Sequence, residues 1–67
     1  MPDLNSSHIK SADYDPYRRE LLIEFQNGSK YRYPGVPQFH YEGLLKAHSA
    51  GKYFHARINR TFHGIKV

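Results

Sequence analysis

Histidines are the first candidates for chemistry in this 67-residue chain, which holds five of them. Four lie in the second half of the chain: His40, His48, His55 and His63. A zinc site on a helix commonly pairs histidines four residues apart, or adds cysteine or carboxylate ligands. None of the four has that spacing to another, and the chain has no cysteine. The sequence therefore predicts no metal site.

Nucleophilic catalysis has equally little support in the sequence. Ser49 follows His48 directly, and Asp13 and Asp15 stand two residues apart near a predicted turn. Neighbours along a chain do not thereby face each other, and no third orienting group is evident. A domain of this length also lacks room for a closed pocket that excludes water. We therefore expect no enzyme activity and no cofactor.

Charge is distributed unevenly along the chain, whose formal net charge is +4. The formal charges of residues 1–33 sum to zero, so the whole excess of positive charge lies in residues 34–67, where Glu42 is the single acid. A basic field on one part of a small domain attracts polyanions, most often nucleic acid. A net charge of about 2 to 8 also serves solubility alone. Charge by itself leaves both interpretations open.

The basic residues of the second half are interleaved with rings that can stack on bases. Arginine and lysine hold phosphate oxygens, while tyrosine or histidine rings stack on unpaired bases. The predicted nucleic-acid-binding residues are Lys46, Lys52, Tyr53, His55, Arg57 and Arg60. A solvated helix face is the alternative interpretation of the same residues.

Length and composition limit the class of protein further. A chain of this length forms one small domain. The absence of cysteine favours a reducing, cytoplasmic setting. No apolar run approaches the roughly 20 residues needed to cross a bilayer, and residues 1–7 have no signal-peptide pattern.

Two alternating runs, 20–25 and 30–33, predict the clearest strands. A three-residue loop with Gly28 at positive φ makes one face of the two strands wholly apolar and aromatic, and it gives the other face an opposite-charge pair. The predicted cross-strand pairs are Leu21–Tyr33, Ile23–Tyr31 and Glu24–Lys30. A weaker pattern over 7–14 predicts an additional first strand. Tyr31 and Tyr33 are then core aromatics, although an exposed stacking platform is the alternative.

Two helices follow in the predicted order of elements. Pro37 suits a first helical position, so the first helix is predicted to begin there. It runs to Ala47 or His48, with Gly51 as its C-terminal stop. The second covers 52–59 and docks on the core through Phe54 and Ile58. Residues 62–67 are extended or loose.

The predicted fold class is α+β, a three-stranded antiparallel meander covered on one face by two helices in the order β-β-β-α-α. Residues 7–67 form the single domain, and residues 1–6 are frayed. The predicted structural core signature is Phe25, Tyr31, Tyr33, Leu44, Phe54 and Ile58.

The order of these motifs resembles the KTSC family over roughly residues 7–65. The resemblance is carried by a Tyr-x-Tyr signature at Tyr31 and Tyr33 and a Ser-x-Gly-x-Tyr-Phe stretch over 49–54. The other matching positions are Tyr14-Asp15-Pro16, Leu21 to Phe25, Gly28, Val36-Pro37, Tyr41, Leu44-Leu45, Ala47 and Ile58. The departures are His40, His55 and Phe62, where an apolar residue, asparagine and tyrosine are usual.

The resemblance implies a small module named for its occurrence at the C-terminus of some lysyl-tRNA synthetases, and also found as a stand-alone bacterial or phage protein. That association implies RNA, more than DNA, as the partner of a non-catalytic binding module. The alternative is a protein-interaction or homodimerisation module that uses a sheet edge, either residues 7–14 or residues 31–33.

Overall fold

The structure, a computed structural model, describes residues 8–67; the frayed segment predicted at 1–6 lies outside the described residues. In chain order its elements are β1 (Ile9–Asp15), β2 (Glu20–Phe25), β3 (Lys30–Pro34), α1 (Gln38–Lys46), α2 (Ala50–Tyr53), a π-helical segment (Phe54–Ile58) and β4 (Ile65–Lys66). The predicted α+β class is confirmed. The sheet has four antiparallel strands in the order β1-β2-β3-β4, one more than predicted.

The hairpin between β2 and β3 has the predicted register. Leu21 lies opposite Tyr33, Ile23 opposite Tyr31, and Glu24 opposite Lys30. Gly28 has φ of +90° and donates its N–H to the Phe25 carbonyl at 2.9 Å. Glycine adopts this left-handed conformation without steric cost, so the loop 26–28 closes the hairpin with Leu21, Ile23, Tyr31 and Tyr33 on the inner face.

The added strand β4 pairs with Tyr31 and Arg32 of β3. Its two residues are too few to show the alternation that predicts a strand. Its position depends on packing, because Gly64 lies against the buried Tyr33 ring, with no room for a Cβ. Because β4 occupies the outer side of β3, residues 31–33 are not a free sheet edge. The sheet edges are β1 and β4.

The helices differ from prediction in their bounds. Ala47 is extended, with φ of −68° and ψ of 145°, so α1 ends at Lys46 and Gly51 is not its stop. Gly51 is instead buried inside α2, which begins after Ser49. From Phe54 the helix widens, and the Asn59 N–H bonds to the Phe54 carbonyl five residues back at 2.8 Å.

One hydrophobic core joins the inner sheet face to the helices. Its buried residues include Leu21, Ile23, Tyr33, Leu44, Phe54 and Ile58. Phe25 and Tyr31 of the predicted core signature are half-buried and pack against this core. Phe54 is the central contact, since its ring meets those of Phe25 and Tyr33 edge-on, at centroid distances of 5.7 and 5.4 Å. Phe54 thereby joins the helical segment to β2 and β3.

Candidate nucleic-acid interface

Charged side chains of the first half largely neutralise one another. The ion pairs in the described part of the chain are Lys10–Glu24 at 3.8 Å, Arg18–Asp15 at 3.9 Å and Arg32–Glu20 at 2.8 Å. All three lie within β1, β2, β3 and the first turn. The outer sheet face, where Lys10, Lys30 and Arg32 meet Glu20 and Glu24, is therefore a mixed-charge surface.

The basic residues of the second half have no such partners. Among residues 8–67, no ion pair involves any of Lys46, Lys52, Arg57 and Arg60, and all four are exposed. Glu42 is exposed on α1 and takes no part in an ion pair within the same residues. The positive charge of residues 34–67 is consequently available to an anionic ligand.

The helical segment 50–58 distributes the predicted residues over different flanks. Successive helical residues turn by about 100°, so His55 and Arg57 project on nearly opposite sides. Arg57 lies near His40 of α1, whose pKa it lowers. His55 instead meets His8 edge-on, with ring centroids 6.1 Å apart. The structure brings Tyr53 and Arg57 together on the α1 side and separates His55 from them.

Tyr53 is half-buried between α1 and α2, and its hydroxyl is engaged. The hydroxyl oxygen lies 3.1 Å from Nδ1 of His40. The ring covers Gly43, where an added Cβ would come within 2.8 Å of three tyrosine atoms. Gly43 therefore makes room for Tyr53. This packing limits the part of Tyr53 that a base can reach.

An exposed aromatic ring that the sequence patterns did not single out lies beside this contact. Phe39, in the first turn of α1, is 62% exposed. Its ring lies 4.3 Å from the His40 ring, at an interplanar angle of 36°. A helical wheel could have identified this ring, because it places Phe39 near the polar side of α1, which carries Gln38, Glu42 and Lys46. A large apolar side chain such as Phe39 on the solvent-exposed side of a helix is a candidate contact residue.

His40 is half-buried at the centre of this group. Its ring meets those of Tyr53 and Phe62 edge-on, at centroid distances of 6.0 and 5.7 Å. Burial lowers the pKa of His40 below its usual value of 6.5, and the Arg57 charge lowers this pKa further. His48 is exposed and lies outside α1, which ends at Lys46.

A concave surface lies at the hairpin end of the sheet. A pocket of about 390 Å³ is lined by His8, Phe25, Gln26, Asn27 and His55. The Asn27 side-chain oxygen accepts the Ser29 N–H at 2.9 Å, so that oxygen is engaged in the turn. His55 is thus exposed on the opposite side of segment 50–58 from Arg57.

Neither a metal cluster nor a membrane-spanning helix is found in residues 8–67. No group of three or more histidine, aspartate or glutamate side chains in this range could hold a metal ion. No helix of the described chain is long and apolar enough to cross a bilayer.

Comparison with known proteins identifies the family. The sequence profile of the KTSC domain matches residues 5–62. The chain belongs to the KTSC family. A crystal structure of a KTSC domain protein from Yersinia pestis is 35% identical and superposes with a TM-score of 0.93, covering 98% of this chain and 93% of that chain. The fold described above is therefore the fold of this family.

Sequence relatives of this KTSC domain occur both alone and inside a longer enzyme. An uncharacterized protein of Stutzerimonas stutzeri is 43% identical over 51 residues, which are 76% of this chain and 72% of the relative. A lysine–tRNA ligase of Nostoc sp. is 43% identical over 56 residues, which are 84% of this chain and 10% of the ligase. The chain therefore matches a small part of that enzyme.

Proposed function

We propose that this KTSC domain is a non-catalytic RNA-binding module that acts through the exposed surface of α1 and segment 50–60. The observation that carries the proposal is the difference in ion pairing between the two halves of the chain. The cations of β1–β3 include three that are paired with carboxylates, whereas Lys46, Lys52, Arg57 and Arg60 are unpaired among the described residues. Exposed cations that no carboxylate neutralises can contact phosphates and release the counterions held there.

Three further observations support RNA as the polyanion. Rings of Phe39 and His55 are exposed on the same helical segments as the cations, and rings beside cations are suited to unpaired bases. A similar segment also occurs in a lysine–tRNA ligase, an enzyme that by its name acts on tRNA. The absence of cysteine fits action in the cytoplasm, where RNA is present under reducing conditions.

The direct test is the affinity of the domain for a short single-stranded oligoribonucleotide at increasing salt concentrations. Four phosphate contacts predict that log affinity falls against log salt with a slope of about −3. Fluorescence anisotropy of a labelled oligonucleotide measures this slope. No binding at micromolar protein and low salt would contradict the proposal.

A pair of variants with equal net charge locates the binding surface. One changes Lys46, Lys52, Arg57 and Arg60 to glutamine. The matched control changes Lys10, Arg18, Arg19 and Lys30 to glutamine. Each variant loses four positive charges, so the formal net charge of +4 becomes zero in both. The first is expected to lose most of the affinity and the salt slope, and the control to retain both. Equal losses in the two variants would indicate attraction by net charge alone and overturn the proposed surface.

A further inference from the structure

Phe39 exposes a flat apolar ring that is held in place by its neighbours. The ring is 62% exposed and stacks obliquely on His40 at 4.3 Å. His40 is itself fixed by Tyr53, whose hydroxyl lies 3.1 Å from Nδ1, and by an edge contact with Phe62 at 5.7 Å. A ring supported in this way loses little conformational freedom when a ligand covers it.

Two exposed cations, Arg57 and Lys46, lie on the two helical segments that meet at His40, beside this ring. Arg57 lies close enough to His40 to act on it electrostatically. Lys46, seven residues after Phe39, returns to the same side of α1 after two turns, about 10 Å along the helix axis. Neither cation is ion-paired with a carboxylate in the range 8–67. The surroundings of the ring therefore suit a ligand that combines a flat apolar part with negative charges.

Glu42 restricts where those negative charges can lie. It is exposed one turn after Phe39 on α1, and it would repel a phosphate placed directly over that turn. A neutral base can occupy the space over Phe39, while the phosphates on either side of it approach Arg57 and Lys46. This distribution of charge matches one nucleotide step of a single strand better than an acidic peptide, whose charges are not separated by a flat ring.

We propose that Phe39 is a base-stacking residue, which receives one unpaired base of single-stranded RNA while Arg57 and Lys46 contact the adjacent phosphates. The inference rests on the proposed RNA-binding function and adds a specific site to it. The sequence patterns assigned stacking to Tyr53 or His55. Tyr53 has its hydroxyl engaged by His40, and His55 lies on the other flank of segment 50–58.

The test compares two substitutions at Phe39 with a matched control. Phe39→Leu keeps an apolar side chain but removes the flat ring, and Phe39→Tyr keeps the ring. Tyr17→Leu is the control, because Tyr17 is 96% exposed in the turn between β1 and β2. The probe is a labelled short oligoadenylate at low salt, together with the same oligomer carrying abasic positions. Thermal unfolding followed by circular dichroism verifies that each variant is folded.

The expected result is a loss of affinity for oligoadenylate of about fivefold or more in Phe39→Leu, which is the range of one base–aromatic stack. Phe39→Tyr and Tyr17→Leu retain the affinity of the unmodified domain. The abasic oligomer binds Phe39→Leu and the unmodified domain equally.

Three results would overturn the inference, and each is distinguishable from the others. If the unmodified domain binds oligoadenylate and Phe39→Leu binds it equally well, Phe39 does not stack on a base, while the proposed RNA-binding function stands. If the unmodified domain binds no RNA at low salt, both proposals fail. A folded Phe39→Leu variant that loses abasic and normal oligomers equally also contradicts stacking.

Discussion

His40 connects the two helical parts of the molecule at the scale of single residues. Its Nδ1 lies 3.1 Å from the Tyr53 hydroxyl, and its ring contacts Phe39 and Phe62. The residue is half-buried. Its proximity to Arg57 could not be predicted, because the two residues are 17 positions apart and only the docking of the helices brings them together.

The same residue makes stability depend on pH. Burial and then Arg57 lower the pKa of His40 in the folded state, so the unfolded chain binds more protons near and below pH 6.5. The contribution of neutral His40 is therefore fully present above pH 7 and is lost as pH falls through the unfolded pKa towards the lower folded pKa. The free energy of unfolding in urea is expected to decrease between pH 7.5 and 5.5, and less so in His40→Gln. An unchanged pH dependence in that variant would contradict this role.

At the scale of elements, alternation and turn chemistry predict more than helical periodicity does. The β2–β3 pairing follows from residues 20–33 alone, because a slip by one residue would send charged side chains to the core. The bounds of α2 and the presence of the π-helical turn cannot be predicted from the sequence in this way. The wider turn keeps Phe54 and Ile58 in the core while Arg57 faces α1, and such a compromise depends on the surface against which the helix packs. The two residues of β4 are too few for any pattern.

The start of α2 rests on Ser49, whose role as a cap the predicted bounds missed. Its Oγ accepts the Lys52 N–H at 3.2 Å, and its carbonyl accepts the Tyr53 N–H at 3.0 Å. Ser49→Ala removes the side-chain cap and is expected to lower the free energy of unfolding by about 0.5–2 kcal/mol. Ser29→Ala is a suitable control in denaturant unfolding, because only the Ser29 backbone contributes hydrogen bonds to its turn. Equal effects of the two substitutions would argue against the cap.

At the scale of the whole molecule, the fold converts a charge asymmetry along the chain into a difference between surfaces. The outer sheet face carries ion-paired Lys10 and Arg32, whereas the helices carry exposed cations and the exposed Phe39 ring. The asymmetry is visible in the sequence. Helical periodicity alone divides His55 from Arg57, but the flank that faces α1 is not visible in the sequence, because it depends on how segment 50–58 docks.

The most direct measurement of the central claim is an NMR titration of the ¹⁵N-labelled domain with a single-stranded oligoribonucleotide. Amide shifts are expected to change in α1 and in residues 50–60, most strongly around Phe39 and Arg57. The amides of β1 and of the outer sheet face are expected to stay unchanged. Shift changes confined to Lys10, Lys30 and Arg32, or no change at low salt, would contradict the account.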